Sequence, residues 1–169
     1  MNVYLVRHAE ALPVGGAVTR DADRTLSPGG EEQARVMAKA LSHIEPSVGA
    51  VITSPLTRAR MTGDVLASAF AVRPPVRASE NLSPGFPYKA LLEELLEQGK
   101  AGSVVAVGHQ PDMANFISWL VADASPVSMS MPPGAMAHLV IDPLSPQDQA
   151  LLRWLLTPAV AAALSQPST

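Results

Sequence analysis

Three short stretches of this chain place residue types that handle anions next to residue types that handle protons: Arg7-His8, Ser54-Pro55-Leu56-Thr57-Arg58 and Gly108-His109. A phosphoryl group spreads negative charge over its oxygens, and its transfer is governed mainly by positioning and charge stabilisation. Arg7 and Arg58 are suited to hold it, because each guanidinium offers planar, bidentate donors and stays protonated. A neutral imidazole such as His8 can attack phosphorus, splitting one hard displacement into two easier ones. His109, if protonated, would stabilise charge on the phosphoryl oxygens. Backbone N–H groups at the starts of helices after Ser54 and His109 would add donors. Singly, each stretch has an ordinary explanation. An Arg-His pair is common by chance, His109 fits a satisfied polar group at a strand end, and Arg58 fits a solvated helix residue or a partner for Asp64. His43, near a helix end, and His138, in a strand pattern, read as structural or surface residues.

The elements between these stretches decide whether they can meet. Asn2 to Val6, Ala50 to Thr53 and Ser103 to Val107 are apolar, β-branched runs that read as buried strands, each ending at one of the three stretches. Between the first two, Ser27 caps and Pro28 opens a helix with Ala34, Met37, Ala38 and Leu41 on one face, running to about Ile44. Ser54-Pro55 repeats the cap-plus-proline start, ahead of a helix carrying Leu56, Ala59, Leu66 and Phe70. A short strand is expected near Val76 to Ala78. A Leu stripe from Leu91 to Leu96 and an apolar face from Phe116 to Val121 are expected in further helices. Ala137 to Ile141 and Leu151 to Leu156 read as late strands, the second equally compatible with helix. Alternating strands and helices predict a three-layer α/β/α sandwich around a mainly parallel sheet, with ligands beyond the carboxyl ends of the strands. That architecture would bring all three stretches to one rim.

The bulk composition agrees with one domain, expected over residues 1–164 with a frayed tail at 165–169. Of the 169 residues 47% are apolar and 16% charged, so a full-sized core is within reach. A formal charge of -3, with no Lys/Arg stripe interleaved with aromatics, argues against nucleic acid or an anionic membrane as partner. No apolar run approaches the ~18 residues of a membrane span, and the first residues lack a signal peptide's pattern, so the cytoplasm is the expected compartment. The absence of cysteine rules out a thiol nucleophile and thiolate metal sites.

Taken together, the motifs resemble those of the histidine phosphatase superfamily, the phosphoglycerate-mutase-like group. Val6-Arg7-His8-Ala9-Glu10 is similar to its Arg-His-Gly/Ala motif, and Leu26-Ser27-Pro28-Gly29-Gly30 to its Leu-Thr-x-x-Gly segment. Ser54 to Ala59 resembles its Ser-Pro-x-x-Arg-Ala segment and Val107-Gly108-His109 its Gly/Ser-His segment, in the family's order. The short chain and the Arg-His-Ala-Glu-Ala opening look most like its small SixA-type phosphohistidine phosphatases. The resemblance implies His8 as phosphoacceptor, Arg7, Arg58 and His109 around the phosphate, and Arg24 at the pocket mouth. It implies Glu80, where the family's acid is expected, as proton donor to the leaving group, set against a solvated loop carboxylate. It also implies hydrolysis without a metal or other cofactor. The expected substrate is a phosphorylated one, such as a histidine-phosphotransfer protein or a small phosphate ester, and the expected state is a monomer.

Rival readings survive at this level. A metallohydrolase would draw on His8, Glu10 and His109, yet no HExxH or comparable ligand spacing is present and a guanidinium beside a ligand opposes cation binding. A non-catalytic phosphate-binding module on the same fold is the other. The loop from Ser125 to Gly134, with three prolines and two methionines, is expected to wall the site or to be an irregular surface segment.

Overall fold

The run Asn2-Val3-Tyr4-Leu5-Val6-Arg7 forms the first strand, β1. Its period of two places Val3 and Leu5 in one core and Tyr4 and Val6 in another, so apolar side chains leave both faces of the sheet. The structure, a computed structural model, describes residues 1–16, 18–122, 127–146 and 150–165. Six strands form one sheet: β1, β2 (Ala50–Thr53), β3 (Val76–Ala78), β4 (Val104–Gly108), β5 (Met136–Val140) and β6 (Leu151–Leu156). Their spatial order is β3-β2-β4-β1-β5-β6. The first four run parallel, whereas β5 and β6 are antiparallel additions.

Helices α1 (Pro28–Ile44), α2 (Thr57–Ser68) and α5 (Pro158–Leu164) cover one face, and α3 (Tyr88–Gln98) and α4 (Asp112–Ala122) cover the other. Ala34, Met37, Ala38 and Leu41 of α1 are all buried, as their spacing requires. Ser27 caps α1 by accepting from Gly30 N at 3.0 Å. The result is a three-layer α/β/α sandwich with a mostly parallel sheet. No helix among the described residues is long and apolar enough to cross a membrane.

Register brings the three motif stretches together. Val6 pairs with Val107 and Arg7 with Gly108, while Thr53 also pairs with Val107. Just beyond, His8 N donates to Gly108 O at 3.0 Å and Ser54 N to Val107 O at 2.9 Å. Three carboxyl ends are thereby stapled to one another.

Several expectations need correction. Helix α2 begins at Thr57 with Leu56 at its N-cap, not at Ser54-Pro55. The Ser54 hydroxyl instead accepts from Leu56 N at 3.3 Å and meets His109, and the chain bends at Pro55 and Leu56 before the helix starts. Phe70 lies past the end of α2 but is still buried against the same core. Leu151 to Leu156 is strand, paired with β5 as a hairpin. Helix α5, which the sequence reading does not anticipate, starts with the same device as α1: Thr157 caps it and Pro158 opens it. Of the expected frayed tail, Ser165 is the helix C-cap and residues 166–169 lie outside the described residues. Positions 125 and 126 of the proline-rich loop also lie outside them.

Candidate active site

The nucleophile candidate sits where β1 ends. His8 Nδ1 lies 2.7 Å from the Ala9 carbonyl oxygen, which can only accept, so Nδ1 carries the proton. Its Nε2 lies 3.2 Å from Arg58 Nε, which can only donate, so Nε2 presents a lone pair. Burial, with the nearby charges of Arg58, Arg7 and Arg24 and against the Ala9 hydrogen bond, pulls the His8 pKa from 6.5 to about 4. The imidazole is neutral near pH 7, with its free nitrogen defined. The His109 ring stands beside it, centroids 5.0 Å apart at an interplanar angle of 57°. His109 is only 4% exposed, and its pKa is pulled to about 3, first by burial and then by the charges of His8, Arg58 and Arg7.

Arginines come to the same place from three elements. Arg7, at the last position of β1, donates Nη1 to Met131 O at 2.7 Å, which ties the loop before β5 to the site. Arg58, in the first turn of α2, is 6% exposed. Its Nε faces His8, and its Nη1 and Nη2 donate to the Asp21 backbone oxygen at 2.8 Å and to Asp21 Oδ2 at 3.0 Å. Asp64, weighed as an alternative partner for Arg58, binds Arg73 at 2.9 Å. Arg24 donates Nε to Leu12 O at 2.5 Å, Nη2 to Ala11 O at 3.2 Å and Nη1 to Asp21 Oδ1 at 3.1 Å.

These side chains line one cavity of about 320 Å³, which joins Arg7, His8, Arg24, Arg58 and His109 with Glu10 and Gln110 as the other polar walls. Ala11, Pro84 and Pro133 close it. Pro133 belongs to the expected proline-rich loop, so its described part does wall the site. Two buried nitrogens here, Arg7 Nε and His109 Nδ1, have no hydrogen-bond partner. Buried polar groups are rarely left unmatched, and Gln110 Oε1, an acceptor in the same wall, is unpartnered too. The donors come from side chains. α2 contributes Arg58, while α4 opens at Asp112, which is not part of the wall.

Glu80 is not brought into this cavity. It lies exposed in a 3-10 turn, Glu80–Leu82, and its Oε2 accepts from Ser83 Oγ at 2.7 Å. The carboxylate that does line the cavity is Glu10, whose Oε2 accepts from Ser27 Oγ at 2.9 Å. Glu10 is also held through its backbone: Ser27 N donates to Glu10 O, and a Cβ on Gly30 would sit 1.9 Å from that oxygen. The Leu-Ser-x-x-Gly pattern is thus needed for close approach of α1 to the turn after His8. Among the described residues, no group of three or more His, Asp or Glu side chains is placed to hold a metal ion, so His8, Glu10 and His109 do not form one. Asp21, which ties two site arginines together, had no signal in the sequence beyond its place three residues before Arg24.

Residues 3–83 match the family model of the histidine phosphatase superfamily, branch 1. A solved structure assigned as the phosphohistidine phosphatase SixA of Nakamurella multipartitia superposes with a TM-score of 0.75, at 28% identity, over 93% of this chain and 95% of that one. The chain belongs to the histidine phosphatase superfamily. This superfamily member is a phosphatase, a hydrolase, and other relatives agree on its fold. The protein histidine phosphatase SixA complexed with tungstate superposes with a TM-score of 0.78, at 21% identity, over 94% of this chain and 98% of that one. A mycobacterial glucosyl-3-phosphoglycerate phosphatase superposes with a TM-score of 0.67 at 17% identity, over 90% and 97% of the two chains. An uncharacterized protein of Picosynechococcus sp. is 32% identical over 118 residues, 69% of this chain and 70% of that relative.

Proposed function

We infer that this phosphatase acts on protein phosphohistidine through a covalent phosphohistidine intermediate on His8 Nε2, working as a monomer without a metal. The observation that carries the mechanism is the fixed tautomer of His8: a neutral ring whose lone pair, on Nε2, accepts from Arg58 Nε and is released from it when Nε2 turns to phosphorus. In the first step Nε2 bonds to phosphorus while the bond from phosphorus to the substrate's nitrogen breaks and that nitrogen takes a proton from solvent. In the second, water bonds to phosphorus, the bond to Nε2 breaks, and phosphate leaves with the ring neutral again. Arg7 and Arg58 supply fixed positive charge, and Arg7 Nε and His109 Nδ1 are the unpartnered donors that phosphoryl oxygens would take. Because Ser54 Oγ accepts from Leu56 N, its own proton is available to His109 Nε2, which favours the tautomer with a proton on Nδ1. Phosphoryl oxygens bound there would also draw the ring towards its protonated form.

A phosphoprotein substrate is supported by the likeness to structures named as SixA and by the chemistry of a phosphoramidate, whose imidazole leaves with little acid assistance. A small phosphate ester is the second reading, favoured by Glu10, a carboxylate in the cavity wall able to protonate a leaving oxygen. Mixing the enzyme with a labelled phosphohistidine protein, quenching rapidly and mapping the modified residue tests the proposal. Label on His8, with turnover unaffected by EDTA, is expected. Label elsewhere or none during turnover would overturn it.

A further inference from the structure

We propose that Asp21 is a positioning residue: it holds Arg58 from behind so that Arg58 Nε faces the lone pair of His8, and it ties Arg24 into the same frame. An arginine side chain has several freely rotating bonds, and its direction here must come from what its guanidinium meets. Three of the five N–H groups of Arg58 are accounted for, and two of those end on Asp21, one on its backbone oxygen and one on Oδ2. The third is the one on His8. The other carboxylate oxygen, Oδ1, accepts from Arg24, whose remaining bonds pin the carbonyls of Ala11 and Leu12, just downstream of His8.

Burial makes this arrangement necessary. The Arg58 side chain is 7% exposed and that of Asp21 58%. A guanidinium so far from water needs an anion, and Asp21 is its only ion-pair partner among the described residues. Asp21 is not among the residues that line the cavity, though its charge is felt there by His109. The Arg24 hydrogen bond and then the Arg58 charge hold its carboxyl below the usual range, so it remains an anion near neutral pH. The 3-10 turn Asp21–Asp23, closed by Arg24 N on Asp21 O, sets Asp21 and Arg24 three residues apart on one side.

The role rests on His8 being the nucleophile, and its test separates the two. In Asp21→Ala, and in the isosteric Asp21→Asn as a guard against misfolding, Arg58 keeps its charge and its bond to the backbone oxygen but loses its carboxylate anchor. The kcat on an aryl phosphate should fall at least tenfold in Asp21→Ala and less in Asp21→Asn, while inhibition by inorganic phosphate stays within about threefold of wild type. The His8 ring, which accepts from Arg58 at Nε2, should change its Nε2 nitrogen chemical shift by NMR. Loss of the Arg58 contact removes the hydrogen bond that Nε2 accepts. A kcat within threefold of wild type, an unmoved His8 Nε2 signal, or phosphate inhibition weakened in step with kcat would overturn the proposal. Full activity in His8→Ala would instead overturn the nucleophile on which it rests.

Discussion

At His8 two neighbours settle the chemistry before any substrate arrives: a carbonyl that only accepts and a guanidinium that only donates. Arg58 therefore has two tasks, orienting the ring and neutralising phosphoryl charge. Its removal in Arg58→Ala should lower kcat/KM on the order of 10²-fold or more, as for loss of a charge-stabilising donor. Steady-state kinetics on an aryl phosphate measures it, and an effect below tenfold would take Arg58 out of the mechanism. The two glutamates can be separated in the same way. Glu10→Gln should slow hydrolysis of an alkyl phosphate on the order of 10²-fold, the lower end for loss of a general acid, with a smaller effect on a phosphoramidate. Glu80→Gln should change neither by more than about twofold. The opposite order would restore Glu80 as the acid.

Among the elements, the close approach of α1 to the turn after His8 carries the most consequence. Gly30 packs against the backbone oxygen of Glu10, so an added Cβ cannot be relieved by a side-chain rotation. Gly30→Ala should cost about 1–3 kcal/mol by overpacking, or roughly 3–10 °C in Tm for a domain of this size. It should also reduce turnover, because the displaced backbone is that of the cavity wall. Calorimetry and initial rates check both, and an unchanged Tm would show that α1 can yield. The edge of α2 carries a related constraint: Thr62 Oγ1 accepts from Ala9 N at 3.1 Å and donates to Arg58 O at 2.7 Å, joining the nucleophile's strand to the arginine's helix.

For the molecule as a whole, two buried imidazoles link folding to pH. His8 and His109 have folded values of about 4 and about 3 against an ordinary 6.5. Below pH 6.5 the unfolded chain takes up protons that the native state refuses, so ΔG of unfolding decreases as pH falls. Their contribution is full above about 6.5 and is lost progressively down through the folded values. Tm should fall between pH 6.5 and 4 more steeply in the wild type than in a His8→Ala/His109→Ala double variant. Equal slopes would mean that the two rings do not titrate as their burial demands.

The local pattern determined a good deal. Continuous apolar runs, cap residues and prolines placed β1, β2, β4 and α1, and residue chemistry marked Arg7, His8, Arg58 and His109, because these depend on near neighbours in the chain. Only the tertiary structure decided that α2 starts late, that Glu10 and not Glu80 lines the cavity, and that Asp21 anchors Arg58. The physical reason is that pairing of polar groups is fixed by distances in space. Asp21 and Glu80 sit in short 3-10 turns whose periodicity predicts no direction, and the Ser54 hydroxyl serves Leu56 and His109 across segments far apart in sequence.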